Sequence, residues 1–306
     1  MTKRIKILGI RSGLLGDTVM SLPMLNYLHK KFNNPLITWV VADRFKQGVE
    51  LYRDHRLINN IYICTGKKDE LSDHDLAIHK GYDIIFNVTP SHPSGDSWYS
   101  KFTCVEETVR MSWGQWAKDH LGLNSPDELL EDFKKTLTES ERKPRLYDYF
   151  WGNKTRKDDG QKIIAIWPVA GYAKCGAKRN PPKEFYDDLV KELKANGYIA
   201  CIYGHPNDFR IDGAGQYYTD FSLIDQVKST LTCNLMIGTD SGSSWIIGAY
   251  GLPQVNLLSN FYPYARKDFW PLAPENSEDL KIDLTSHQGW HDITVEKTLE
   301  AIRNYI

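Results

Sequence analysis

The chain has 306 residues, 41% of them hydrophobic and 25% charged, which suits two soluble globular domains and excludes a disordered or fibrous chain. The formal net charge is −1, with +1 over residues 1–150 (21 basic against 20 acidic) and −2 over the remainder (17 against 19). That balance argues against a strong duplex nucleic-acid binder and leaves local basic patches open.

Residues 5–10 (IKILGI) read as a buried strand. One helix is expected over 16–32, with Val19, Leu22, Leu25, Leu28 and Phe32 on one face and Pro23 in its first turns. Strands at 36–42, 58–64 and 82–88 and a helix at 44–52 continue the alternation, which predicts a parallel, doubly wound sheet. From about 90 to 150 the pattern changes to loops with one or two helices. The aromatics there, Trp98, Tyr99, Phe102, Trp113 and Trp116, read first as core and second as stacking surfaces for sugars or bases. Polar, turn-rich residues 151–161 are the expected linker.

A second alternation follows, with strands at 162–168, 198–204, 234–240 and 253–259. Helices are expected at 182–197 (ending at a glycine), 222–233 (with Ser222 as N-cap) and 243–251. The reading is thus α/β, with two doubly wound Rossmann-like domains over 1–155 and 162–290. A C-terminal helix is expected over 291–306, and the family resemblance carried by the motifs below implies that it packs back on the first domain.

The five cysteines, at 64, 104, 175, 201 and 233, are widely spaced and form no CxxC pair. Cys64 and Cys201 lie in apolar runs and read as buried thiols of a reducing compartment. The first ten residues lack the pattern of a secretory leader, and no apolar run reaches ~18 residues. A cytoplasmic protein is expected, with contact at the inner membrane surface left open.

Three segments carry chemistry. The first, residues 13–23 (GLLGDTVMSLP), follows the first strand, and Asp17 stands at a helix start, where a carboxylate caps the helix or serves as a base. Its glycines, Gly13 and Gly16, do not make a GxGxxG dinucleotide fingerprint. The second, residues 167–185, sets Lys174, Lys178 and Arg179 in a small-residue loop, where they are placed to neutralise a diphosphate. The third, residues 237–253, runs from a strand through Asp240, Ser241, Gly242, Ser243 and Ser244 into a helix, a natural anion site. His205 follows the strand at 198–204 and is a weaker candidate for the same ligand. Asp73-His74-Asp75 has the spacing of a metal–diphosphate motif but lies in a charged stretch that reads as solvated surface.

In order and spacing these segments resemble glycosyltransferase family 9, the family of the lipopolysaccharide heptosyltransferases. Leu15-Gly16-Asp17 and Leu22-Pro23 match its first signature, Lys178-Arg179-Asn180-Pro181 its lysine before Trp-Pro, and Asp240-Ser241-Gly242 with Gly251-Leu252-Pro253 its D-T-G-x-x-H and G-x-P. Asn180 replaces the family's Trp, and Trp245 its His. The resemblance covers most of the chain outside residues 90–160. It implies a GT-B architecture, two domains facing a central cleft, and inverting sugar transfer from a nucleoside-diphosphate sugar to a glycan hydroxyl. It makes Asp17 the general base. It puts Lys178 on the donor phosphate and lines the donor pocket with Asp240, Ser241 and Gly242; Lys174, Ser243 and Trp245 are further candidates for the same donor site, and Gly13 and Gly16 for the acceptor-side loop. No metal or other cofactor is expected. Two other readings fit the same residues: transfer to a modified nucleic-acid base, and a nucleotide-sugar-binding module without catalysis. Oligomeric state, sugar and nucleotide base are not encoded in any motif of the chain.

Overall fold

The computed structural model describes residues 4–11, 15–42, 57–64, 81–87, 105–146, 160–170, 180–239, 241–259, 277–282 and 292–306. The helix expected at 44–52, most of the linker, the Asp73-His74-Asp75 motif and the aromatics Trp98, Tyr99 and Phe102 lie outside them. The chain divides into two compact units, Met1–Phe150 and Trp151–Ile306.

The first unit is built on β1 (Lys6–Arg11), β2 (Leu36–Ala42), β3 (Asn60–Cys64) and β4 (Ile84–Asn87), parallel and in the order β3-β2-β1-β4. β1 is central, with Leu8 paired to Thr38 on one side and Ile85 on the other. Ile7, Leu8, Ile37, Trp39, Val40 and Ile84 are all buried, as expected of parallel strands covered on both faces.

The single helix expected over 16–32 is two, α1 (Leu15–Met20) and α2 (Leu22–Phe32). Pro23 is the cause, because its nitrogen has no hydrogen to give to a carbonyl four residues back. Met24 N–H reaches only Ser21 O, at 3.1 Å. α2 stops at Asn33, left-handed at φ 50°, whose N–H returns to His29 O.

Residues 105–146 hold more helix than the sequence suggested: α3 (Val105–Met111), α4 (Gln115–Leu121), α5 (Pro126–Thr136) and a 3₁₀ turn at Ser140–Arg142. The missed signal was local. Ser125 Oγ accepts from Glu128 N–H at 3.1 Å, Glu128 accepts from Asn124 N–H at 2.7 Å, and Pro126 opens the helix. α5 seats on α2 through Tyr27, whose hydroxyl donates to Asp132 at 2.5 Å, while Lys31 pairs with the same carboxylate at 2.6 Å. Burial, and then Asp132, hold the Tyr27 hydroxyl far above the usual tyrosine pKa, so it remains a donor. Trp116 is buried, with its indole N–H on Ser112 O at 2.7 Å, and Trp113 donates to Leu123 O. Both rings belong to the packing of this helical layer.

The second unit contains β5 (Lys162–Trp167), α6 (Lys183–Ala195), β6 (Tyr198–Ile202), β7 (Gln216–Tyr217) and α7 (Leu223–Thr230). It continues with β8 (Leu235–Thr239), α8 (Gly242–Ala249), β9 (Gln254–Ser259), β10 (Ser277–Ile282) and α9 (Val295–Arg303). β7 and β10 were not expected, one being two residues long and the other too polar (SEDLKI) to read as strand; both are edge strands. α6 ends before Gly197, at φ +81°, the glycine stop its sequence announced.

All strands are parallel, in the order β10-β9-β8-β5-β6-β7. Counted within the unit this is 6-5-4-1-2-3, the order of doubly wound dinucleotide-binding sheets. The winding reverses between β5 and β8, so the loops after these two strands diverge and leave a crevice at the carboxyl edge.

The final helix sets an apolar face, Leu299, Ala301 and Ile302, beside Leu189, Val190, Val255 and Leu257 in the second unit's own core.

Candidate functional site

The crevice of the second unit begins at the end of β5. Pro168 O accepts from the buried Tyr186 hydroxyl at 3.1 Å, and Ala170 N–H donates to Asn180 Oδ1 at 2.7 Å. These two bonds fix both stems of loop 171–179. Asn180 thus closes the loop base as a hydrogen-bond acceptor. Lys174 and Lys178 belong to this loop and lie outside the described residues.

Across the crevice, β8 ends at Thr239 and α8 starts after Ser241, which is extended at φ −145°. Ser241 does not cap the helix with its side chain. Its hydroxyl lies 2.6 Å from Ser243 Oγ and 3.4 Å from Ser244 Oγ, while Ser244 Oγ donates to Thr239 O at 2.5 Å. The first N–H groups of any helix lack intrahelical partners, and here the Ser241 hydroxyl accepts from none of them. Helix dipole and hydroxyls together make an anion-binding end. Thr239 Oγ1 lies fully buried beside it with no hydrogen-bond partner among the described residues. Gly238 lets the helix approach: a Cβ there would sit 3.1 Å from Ser244 Oγ. Asp240 lies outside the described residues. Trp245 is only 7% exposed, so most of its ring is covered by protein.

A third loop leaves β6. Gly204, at φ +136°, is a position that needs glycine, and a Cβ there would stand 2.5 Å from Asp208 Oδ2. His205 N–H donates to that carboxylate at 2.7 Å, and its ring Nδ1 accepts from Asn207 N–H at 3.1 Å. The neutral imidazole therefore carries its proton on Nε2. Gln226, 5% exposed on α7, joins this loop to the next one. Its carboxamide accepts from Gly204 N–H at 2.8 Å and donates to Gly204 O at 3.0 Å and Phe221 O at 2.9 Å.

Sequence reasoning missed Gln226, Thr239 and a row of aromatic rings. Trp167, Tyr203 and Tyr218 stack in series, with centroids 5.5 and 4.9 Å apart and planes 12° and 6° off parallel. Phe221 adjoins the last of them at 5.5 Å. The signal was present in part: an aromatic residue ends β5, and another directly follows the apolar run of β6. Burial drives the Tyr203 hydroxyl well above the usual range, and it stays protonated beside Ser229 Oγ at 2.9 Å.

In the first unit, the winding reverses between β1 and β4. Gly16 and Asp17 are the second and third residues of α1, which rises from the end of β1. Asp17 thus occupies the first turn, at the positive end of the helix dipole. Gly13 lies outside the described residues.

No family model matches the chain, and no curated protein sequence does. Solved structures do. The glycosyl transferase family 9 protein of Veillonella parvula is similar at a TM-score of 0.66 and 16% identity, over 98% of this chain and 97% of that one. E. coli ADP-heptose lps heptosyltransferase II gives 0.68 and 18%, over 98% of both chains. E. coli heptosyltransferase WaaC, solved with ADP-2-deoxy-2-fluoro heptose, gives 0.64 and 14%, over 99% and 100%. At these identities what is shared is the fold, along nearly the full length of each chain.

Proposed function

We propose that this chain is a glycosyltransferase that moves a sugar from a nucleoside-diphosphate donor to a glycan hydroxyl. The observation that carries the reading is the switch point of the second sheet. There the carboxyl ends of β5 and β8 border one crevice, with Ser241 and Ser243 at the small-residue start of α8, and the sequence puts Lys174 and Lys178 in the segment that follows β5. Such a pairing of cations and helix N–H groups suits a diphosphate. The fold shared with heptosyltransferases, one of them solved with ADP, supports the same ligand class.

The chemistry is a single displacement. The acceptor hydroxyl oxygen forms a bond to the anomeric carbon from the face opposite the phosphate. The carbon–phosphate-oxygen bond breaks and its electron pair leaves with the nucleoside diphosphate, so the configuration inverts. Asp17 takes the proton of the acceptor hydroxyl. Lys178, Lys174 and the α8 N-terminus stabilise the charge that grows on the leaving diphosphate. These fixed charges and dipoles fill the role of a divalent cation, so no metal is required. Asp240, Ser241, Gly242 and Ser243 line the diphosphate, with His205 beside the nucleoside. The acceptor is a glycan of the lipopolysaccharide class, met at the cytoplasmic face of the membrane. Among the described residues no helix is long and apolar enough to cross a membrane.

The test is release of free nucleoside diphosphate from a panel of sugar nucleotides with core oligosaccharide as acceptor, with and without EDTA. Acceptor-dependent release that EDTA leaves unchanged is the expected result. Donor affinity without any release would instead make the chain a binding module.

A further inference from the structure

We propose that Pro23 is a positioning residue for the reaction: by breaking the helix after Met20 it frees position 17 from the phase that α2 would impose on it. This role rests on the reading of Asp17 as the base and adds the reason why the helix that carries Asp17 is not continuous with α2.

α2 is held against turning about its own axis. Tyr27 and Lys31 both bond Asp132, at 2.5 and 2.6 Å, Lys30 pairs with Glu141 at 2.7 Å, and Asn26 donates to Glu141 O at 2.9 Å. Its core side is marked by Met24, Leu25, Tyr27 and Leu28, each 1% exposed or less. A helix continued backwards from α2 at 3.6 residues per turn puts positions 17, 21, 24 and 28 on one line. Ser21, Met24 and Leu28, the other three on that line, are all buried. In such a helix an ionised carboxylate at position 17 would stand in the apolar stripe. There it would be stripped of water, take up a proton and cease to be a base.

The burial of α1 follows a different phase. Gly16, Val19 and Met20 are buried, an i, i+3, i+4 set that makes one helix face. Continued from α2, Val19 would share a line with Asn26, half-buried, and Lys30, exposed; instead it is 0% exposed. The core-facing side therefore shifts by about a quarter turn between the two helices, and position 17 is not a member of the set that α1 buries. Pro23 permits the shift. It offers no N–H to Val19 O, and its ring crowds that carbonyl. The turn at Ser21 is closed instead by Met24 N–H on Ser21 O, three residues back, at 3.1 Å. A residue with an N–H at position 23 would let the bond to Val19 O form and α2 run on into α1.

The experiment is a double-mutant cycle on the intact chain: wild type, Pro23→Ala, Asp17→Asn and the two changes combined. Each is assayed for kcat with sugar nucleotide and core oligosaccharide and for affinity toward ADP, GDP, UDP and CDP. Pro23→Ala should lower kcat about 10- to 10²-fold, the scale of a misaimed catalytic group, and leave nucleotide affinity within about twofold. In the Asp17→Asn background the same change should cost less than about twofold, because the group it misaims is already gone. Should Pro23→Ala not fold, Pro23→Gly, which also loses the ring and regains the N–H, carries the same cycle. A wild-type kcat in the Pro23 variant would overturn the proposal and leave the base reading standing. An equal fall in both backgrounds would show that Pro23 serves only the packing of the first unit, and would overturn it as well. If Asp17→Asn alone keeps the wild-type rate, the base reading fails and the positioning role with it.

Discussion

Replacing Asp17 by Asn is expected to lower sugar transfer by about 10²–10⁴-fold while donor affinity stays within a factor of two or so, the scale of a lost general base. The amide is nearly isosteric and still fits the first turn of α1, where Asp17 is the third residue. It cannot accept a proton from an attacking hydroxyl. Initial rates at saturating donor and acceptor, set beside donor titrations, separate the two effects. Unaltered rates would reduce Asp17 to a residue that complements the helix dipole.

The second large effect concerns stability. Tyr203 is 1% exposed and sits between Trp167 and Tyr218 in the parallel stack. Tyr203→Ala leaves both neighbours without their facing ring, and a loss of about 3–5 kcal/mol is expected, as for other large aromatic truncations. Tyr203→Phe keeps the stack and loses only the hydroxyl contacts to Ser229 and Cys233, about 1 kcal/mol. Native-state hydrogen exchange of the β5 and β6 amides reads both changes within the second unit. Equal costs for the two variants would mean that the hydroxyl, and not the stack, holds this edge together.

What the sequence disclosed, and what it withheld, follows from the range of the interactions involved. The central strands β1, β2, β5, β8 and β9 are short apolar runs, and such runs declare themselves through burial on both faces. The strand order that creates each crevice is a long-range property, yet right-handed crossovers leave few alternatives once strands and helices alternate. β7 and β10 were missed because edge strands need not be apolar, and Gln216-Tyr217 is too short to show a period. The split at Pro23 was legible in principle, since a proline two residues into a new helix removes one bond from the old one. The apolar stripe of the final helix says only that one face is buried; the fold shows that Leu299, Ala301 and Ile302 fill the second unit's core.

The site divides in the same way. Residues 239–244 could be read as an anion-binding turn because small residues, a strand end and a helix start occur consecutively. Gln226 could not be read: one glutamine bridging Gly204 and Phe221 has no local pattern, and only the fold brings those loops together. The aromatic row was in the sequence as Trp167, Tyr203 and Tyr218, but their common rank at three strand ends appears only once the strands are aligned. Asn180 shows a different limit. Beside the related family's Trp it looks like a loss, whereas in this chain its side chain closes the base of the basic loop.

The measurement that bears most directly on the central claim is a calorimetric titration of ADP, GDP, UDP, CDP and dTDP into the full chain in the presence of EDTA, repeated on Lys178→Ala. The account predicts saturable one-site binding of at least one nucleoside diphosphate without metal, weakened in Lys178→Ala by roughly tenfold or more, as for loss of a charge-assisted phosphate contact. Binding that appears only when a divalent cation is restored, or no binding of any of the five, would contradict a metal-free diphosphate site at the β5–β8 crevice.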